Sequence, residues 1–169
     1  MKILLSLCLC IAISTLSVAQ SSLNELATSF ANAYINKDYQ TIVTLTHPDI
    51  ITKGGGEKLA IADLKANLNN PKSEMLEYTS TEVGEPIQFF ESNGETQTLV
   101  PIRFFLEFGD DLYANTTHFL AVSEDKTEWR FVNLEYYDEE SLKIFIENLS
   151  DQIMIPENKP FEKLVKEQK

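Results

Sequence analysis

The spacing of apolar residues changes once along this chain, and that change confines it to one fold class. Up to Leu68 apolar side chains recur at helical spacing; from Ser73 they recur at every second residue. Leu23, Leu26, Ala27, Phe30 and Tyr34 fall at i, i+3, i+4, i+7 and i+11, one face of a helix. Ser22-Leu23-Asn24-Glu25 has the form of a capping box and predicts a helix opening at Ser22. Asn36-Lys37-Asp38 breaks that helix, and Asp38 caps a short second one over Tyr39 to Leu45. Pro48 pushes His47 out of the helical region and stops it. Ile50-Ile51 is predicted to cross the core. Gly54-Gly55-Gly56 turns the chain into a third helix, Glu57 to about Leu68, with Ile61, Leu64 and Leu68 on one face. Asn69-Asn70-Pro71 ends it.

The second part reads as a meander of strands. Glu74 to Val83 and Ile87 to Glu91 come first. Asn93-Gly94 is then a strong hairpin signal. Thr96 to Phe108 is a long strand with Val100, Ile102, Phe104, Leu106 and Phe108 on one side and Pro101, Arg103, Phe105 and Glu107 on the other. A turn at Gly109-Asp110 leads into Leu112 to Ser123, and Glu124 to Thr127 turns into a last strand, Trp129 to Leu134. Asp138 caps a fourth helix, Glu139 to Leu149, whose first-turn glutamates complement the helix dipole. The tail from Pro156 is predicted to be partly extended. Helices first and strands after, without alternation, define an α+β domain.

Residues 1–19 have the layout of a secretory signal peptide. Lys2 supplies a positive start, Ile3 to Leu16 is uncharged and almost wholly apolar, and Ser17 and Ala19 are the small residues a signal peptidase reads. Cleavage after Ala19 is expected. The division is then residues 1–19 as leader, 20–150 as the domain and 151–169 as a tail, with a secreted or periplasmic destination. Cys8 and Cys10 both fall in the leader, which leaves the domain without thiolate, disulfide or zinc–cysteine chemistry. A bulky leucine precedes each cysteine, which argues against lipidation. The apolar run is shorter than the roughly 20 residues a membrane anchor needs.

Acidic residues outnumber basic ones by 26 to 14, a formal net charge of −12. Such a surface repels phosphate backbones and anionic lipid, so neither a nucleic acid nor, after leader removal, a membrane is expected as partner. The acids are scattered, as on an ordinary solvated face.

Candidate chemistry is sparse. His47 and His118 are the only histidines and fit no metal spacing. His47 is expected to end a helix with its imidazole bonded to a nearby carbonyl. His118 lies mid-strand. With the turn at Gly109-Asp110 it shares a face with Arg103 and Leu120, and one extra turn residue would move it to the other face. It is the sharpest catalytic candidate, although a satisfied structural histidine is the plainer reading. Tyr34 closes the apolar stripe of the first helix and either packs at the core edge or lines a pocket. Trp129, the one tryptophan, packs in the core or an interface, or stacks on a ligand. The Gly54–Gly56 run lacks the spacing of a phosphate loop. No EF-hand pattern and no Gly-x-Ser-x-Gly is present. No cofactor, metal or catalytic set is assigned; Tyr34, His47, His118 and Trp129 are the candidate ligand-binding residues.

The order of these elements from Ser22 to Leu134 resembles the nuclear-transport-factor-2-like (NTF2-like, also SnoaL-like) superfamily. The opening helix, the Asn36-Lys37-Asp38-Tyr39 break, His47-Pro48 before the glycine turn, and the long hairpin carry the likeness. A finer resemblance is to small exported proteins of Bacteroidota-type bacteria, through Thr46-His47-Pro48, Gly55-Gly56-Glu57-Lys58, Leu99-Val100-Pro101, Trp129 to Val132 and Ile155-Pro156. The resemblance implies a curved antiparallel sheet wrapping the helices into a cone whose mouth often holds a small ligand. Members include isomerases, dehydratases, cyclases and non-enzymatic modules, so fold does not fix function. The carboxylate–tyrosine–acid constellation of ketosteroid-isomerase-like members has no counterpart placeable here.

Two functions follow as expectations. One is an exported, non-catalytic module that binds a small apolar ligand or a protein partner. The other is a cone-pocket enzyme doing acid–base chemistry of the isomerase, dehydratase or cyclase type, with His118 or a buried carboxylate as base. The resemblance also implies a homodimer through the outer sheet face, using Pro101, Phe105 and Phe119 or Leu120.

Overall fold

The computed structural model describes residues 20–69, 77–157 and 159–164. The predicted leader at residues 1–19 and the predicted strand start at Glu74 lie outside them. Helix α1 spans 20–35 and is followed by α2 (Tyr39–Leu45), α3 (Pro48–Lys53) and α4 (Glu57–Leu68). Strands β1 (Glu77–Val83), β2 (Phe89–Ser92), β3 (Glu95–Phe108), β4 (Asp111–Ser123) and β5 (Arg130–Asn133) come next. A single 3₁₀ turn (Leu134–Tyr136), helix α5 (Glu139–Phe145) and β6 (Glu162–Leu164) complete the chain. The expected α+β architecture holds: helices pack on a curved, unclosed antiparallel sheet, with a short C-terminal helix.

The sheet runs β1-β3-β4-β5, with β2 also on β3 and β6 also on β4. Both turn signals act as read. Asn93 (φ 48) and Gly94 (φ 88) close the β2–β3 hairpin between Ser92 and Glu95. Gly109 (φ 58) and Asp110 join Phe108 to Asp111 and fix the register for the whole of β3 and β4. Between β1 and β2 the chain passes so close over Pro101 that a Cβ on Gly84 would come within 2.9 Å of its ring.

That register sorts the side chains by face. Val100, Ile102, Phe104, Leu106, Phe119 and Phe131 form the inner core with Leu23, Ala27 and Phe30 of α1. Phe30 stacks on Phe131 at 4.9 Å and meets Phe119 edge-on at 5.3 Å. Leu99, Leu120, Val122 and Val132 face outward and are covered by Leu142, Ile146, Leu149 and Ile153 of the C-terminal segment. Phe119 and Leu120 are therefore both buried within one chain and cannot supply the dimer face expected of them. Phe108 is also not core. It ends β3 at the hairpin tip, where no helix reaches, and is 40% exposed.

Tertiary partners override several local signals. α1 begins before Ser22, whose hydroxyl donates to the Lys126 carbonyl (3.0 Å) and accepts from the Trp129 indole N–H (3.3 Å) instead of capping the helix. Ile50 and Ile51 belong to helix α3, none of whose residues is fully buried; Pro48 starts this helix as much as it stops the previous one. The strand expected to be last, β5, runs from Arg130 to Asn133 instead of Trp129 to Leu134, and β6 follows it. Helix α5 stops at Phe145, not Leu149. Its capping box is Asp138 with Ser141, and Lys53 donates to the carbonyls of Ile144 and Phe145 at its end. Beyond it the buried Gln97 amide holds the chain non-helical, donating to the Asn148 carbonyl (2.8 Å) and accepting from the Ser150 N–H (2.9 Å).

Candidate functional site

The inner face of the sheet opens at the β1 side into a cavity of about 60 Å³. Four elements bring its side chains together. Tyr34 comes from the last turn of α1, with its ring against Phe30 (5.3 Å) and Phe104 (6.0 Å). Tyr78 comes from β1 and meets Phe104 edge-on at 5.5 Å. Asn115 and Thr117 come from β4, on the same face as Phe104. Asn133 ends β5, and its side chain accepts the Glu135 N–H at 2.9 Å. That bond caps the turn carrying Glu135 and Tyr136 to the cavity mouth. Leu68, Leu106 and Phe161 complete the wall.

The electrostatics of this pocket are those of a poorly hydrated place. Burial pushes the Tyr34 hydroxyl well above its ordinary range, against a hydrogen bond from Asn133 that pulls it down. Burial also raises Tyr78 and Tyr136, and Glu135 adds to both. The Glu135 carboxyl is itself raised by burial. The buried Asn115 Oδ1 accepts no hydrogen bond. A buried acceptor left so costs about 1–3 kcal/mol, so it invites a donor from outside. No Lys, Arg or His is among the described lining residues.

Of the four residues singled out in the sequence, only Tyr34 lies here. His47 lines a separate open groove of about 490 Å³ with Asp49, Glu95, Glu128 and Arg130. Its imidazole does not donate to a carbonyl as expected. Nδ1 accepts the Asp49 N–H (3.3 Å) and caps α3. Burial lowers its pKa, more than neighbouring Asp49 and Glu95 raise it. His118 sits opposite Pro101 in the ladder and so points to the outer face, on the same side as Arg103 and away from the cone. Burial and then Lys159 lower its pKa. Trp129 is fully buried beside Ser22 and Phe89.

Sequence reasoning missed Asn115, Asn133, Glu135, Tyr136, Tyr78 and Phe161. A usable signal existed for the first. Asn115 and Thr117 alternate with Phe119 on one face of a strand, and an asparagine in the core row of a long strand has to answer to something. Phe161 carried none, because only the return of the tail brings it to the mouth. Among the described residues no group of three or more His, Cys, Asp or Glu is placed to hold a metal ion. No described helix is long and apolar enough to cross a membrane.

No protein-family model matches the chain, and neither does any curated protein. Among solved structures it is similar to an LEH-like epoxide hydrolase of M. tuberculosis. The two share 16% identity over 78% of this chain and 92% of that one, with a TM-score of 0.34.

Proposed function

We propose that this protein is an exported module that holds a small molecule in the mouth of its cone without turning it over. The observation that carries the reading is a cavity walled by aromatic rings and lined by Asn115, whose buried Oδ1 has no hydrogen bond. A ligand donor there replaces a stranded polar group with a satisfied one. The cavity is small, about 60 Å³, against about 490 Å³ for the groove beside His47. Its size suits a compact ligand or the terminal group of a longer one. Export rests on the composition of residues 1–19, and the secreted form is expected to begin at Gln20 on N-terminal sequencing. The finer likeness to exported Bacteroidota-type proteins belongs to this same reading.

The test is a fragment screen by NMR on the full-length domain. Binders should shift the Asn115 side-chain amide and the Tyr34 and Tyr78 rings and leave His118, on the outer face, unmoved. A screen whose binders all avoid the cone sinks the proposal. One observation favours a second reading, acid–base catalysis. A carboxyl with a raised pKa, Glu135, faces the same cavity as the hydroxyl of Tyr34. Turnover of a cone-binding compound that is lost in Glu135→Gln, with binding kept, would put this second reading first.

A further inference from the structure

The cavity has a chemical bias that goes beyond the presence of a ligand. We propose that the group it takes is a small organic cation, a primary ammonium on a short alkyl stem. This rests on the cone being the ligand site and names what enters it.

The walls are aromatic on several sides. The Tyr34 and Tyr78 ring centres lie 6.0 and 5.5 Å from that of Phe104, and Tyr136 and Phe161 also line the cavity. An aromatic ring whose face meets a cation contributes about 0.5–2 kcal/mol as water is removed. The lining residues include two with side-chain acceptors. Asn115 contributes a buried carbonyl oxygen with nothing donating to it, and Glu135 contributes a carboxyl. An ammonium brings three donors and no acceptor, which matches that set. A carboxylate or phosphate ligand would meet Glu135 with no cationic side chain among the described lining residues. A neutral alcohol brings one donor, enough for Asn115 or Glu135 but not both, and no charge to match the rings and the carboxyl. The cavity is small, about 60 Å³, and suits a compact terminal group such as –CH₂–NH₃⁺.

The experiment titrates the full-length domain with three probes of similar size, ethylammonium, ethanol and acetate, reading the Asn115 amide and Tyr34 ring resonances. Ethylammonium should saturate them. Ethanol should bind roughly tenfold more weakly, the loss expected when a hydrogen bond to a charged group becomes a neutral one. Acetate should not register. Glu135→Gln should weaken ethylammonium by a similar factor, and Asn115→Asp should tighten it, a gain that cannot come from misfolding. Ethanol binding as well as ethylammonium, or Glu135→Gln without effect, overturns the cation while leaving the cone as ligand site. Silence of all three probes also overturns it, and the fragment screen then judges the cone on its own.

Discussion

Phe104 and Phe105 are neighbours in sequence and live in different surroundings. Phe104 is 5% exposed and touches Tyr34, Tyr78 and Phe119. Phe105 is half-buried on the outer face, with the Arg103 guanidinium 5.2 Å from its ring centre. Phe104→Ala should cost about 3–5 kcal/mol in denaturant melts, as for other buried phenylalanines, and Phe105→Ala clearly less. Equal losses would mean that both faces of β3 are equally closed at this level. His47 makes a second prediction at this scale, about pH. Its folded pKa lies below the ordinary 6.5, chiefly through burial. In the window just below 6.5 the unfolded chain therefore binds more protons than the folded one, and stability falls as pH falls. Protonation also removes the Nδ1 acceptor that caps α3. His47→Asn keeps a capping oxygen and cannot titrate. Thermal melts from neutral pH downward should show a shallower loss for this variant, the remainder belonging to His118, which shifts the same way.

At the scale of elements, what the sequence made legible was whatever short-range physics decides. Asn93-Gly94 and Gly109-Asp110 are turns because their backbone angles suit the residues, and Asp38 and Asp138 cap helices by bonding within their own turns. The end of α5 was not legible. It is decided by Gln97, far away in sequence, whose buried amide takes the backbone of Asn148 and Ser150. Ser22 is the same lesson in reverse: a residue with capping chemistry spends it on Trp129 and Lys126. Gln97→Leu keeps the volume but strands two backbone groups, at about 1–3 kcal/mol each. Hydrogen exchange should then speed up over residues 146–153, while α1, on the other face of the sheet, keeps its protection. Uniform loss of protection would show that the C-terminal segment does not open separately.

Considered as a whole, the molecule uses one sheet to serve two sides. α1 fills the inner face except at the mouth, and the C-terminal segment closes the outer face over β4 and β5. The α+β layering was legible from the period change, and the curved sheet from the family resemblance that the element order carries, but the site was not. Its polar residues are scattered over α1, β1, β4 and the turn after β5, and only the three-dimensional arrangement makes them neighbours. The tail is the part least fixed by the core, and the last prediction concerns it. It returns as β6, pairing three residues with β4 at Leu112, Tyr113 and Ala114. Two exposed ion pairs hold it, Arg103 with Glu162 at 3.2 Å and Lys163 with Asp111 at 2.6 Å. Exposed pairs contribute about 0–1 kcal/mol each, and three ladder residues at an edge add little. A chain ending at Asn158 should therefore fold, with a stability loss of no more than about 2 kcal/mol. It should also lose two specific effects. Removing Lys159 should raise the His118 pKa toward its ordinary value, because that cation is one of the two causes holding it down. Removing Phe161 should strip one aromatic wall from the cavity and quicken exchange of bound fragments. NMR titration of His118 and fragment dissociation rates measure both. A truncated chain that does not fold would make the tail an integral part of the core, and an unmoved His118 would place Lys159 elsewhere.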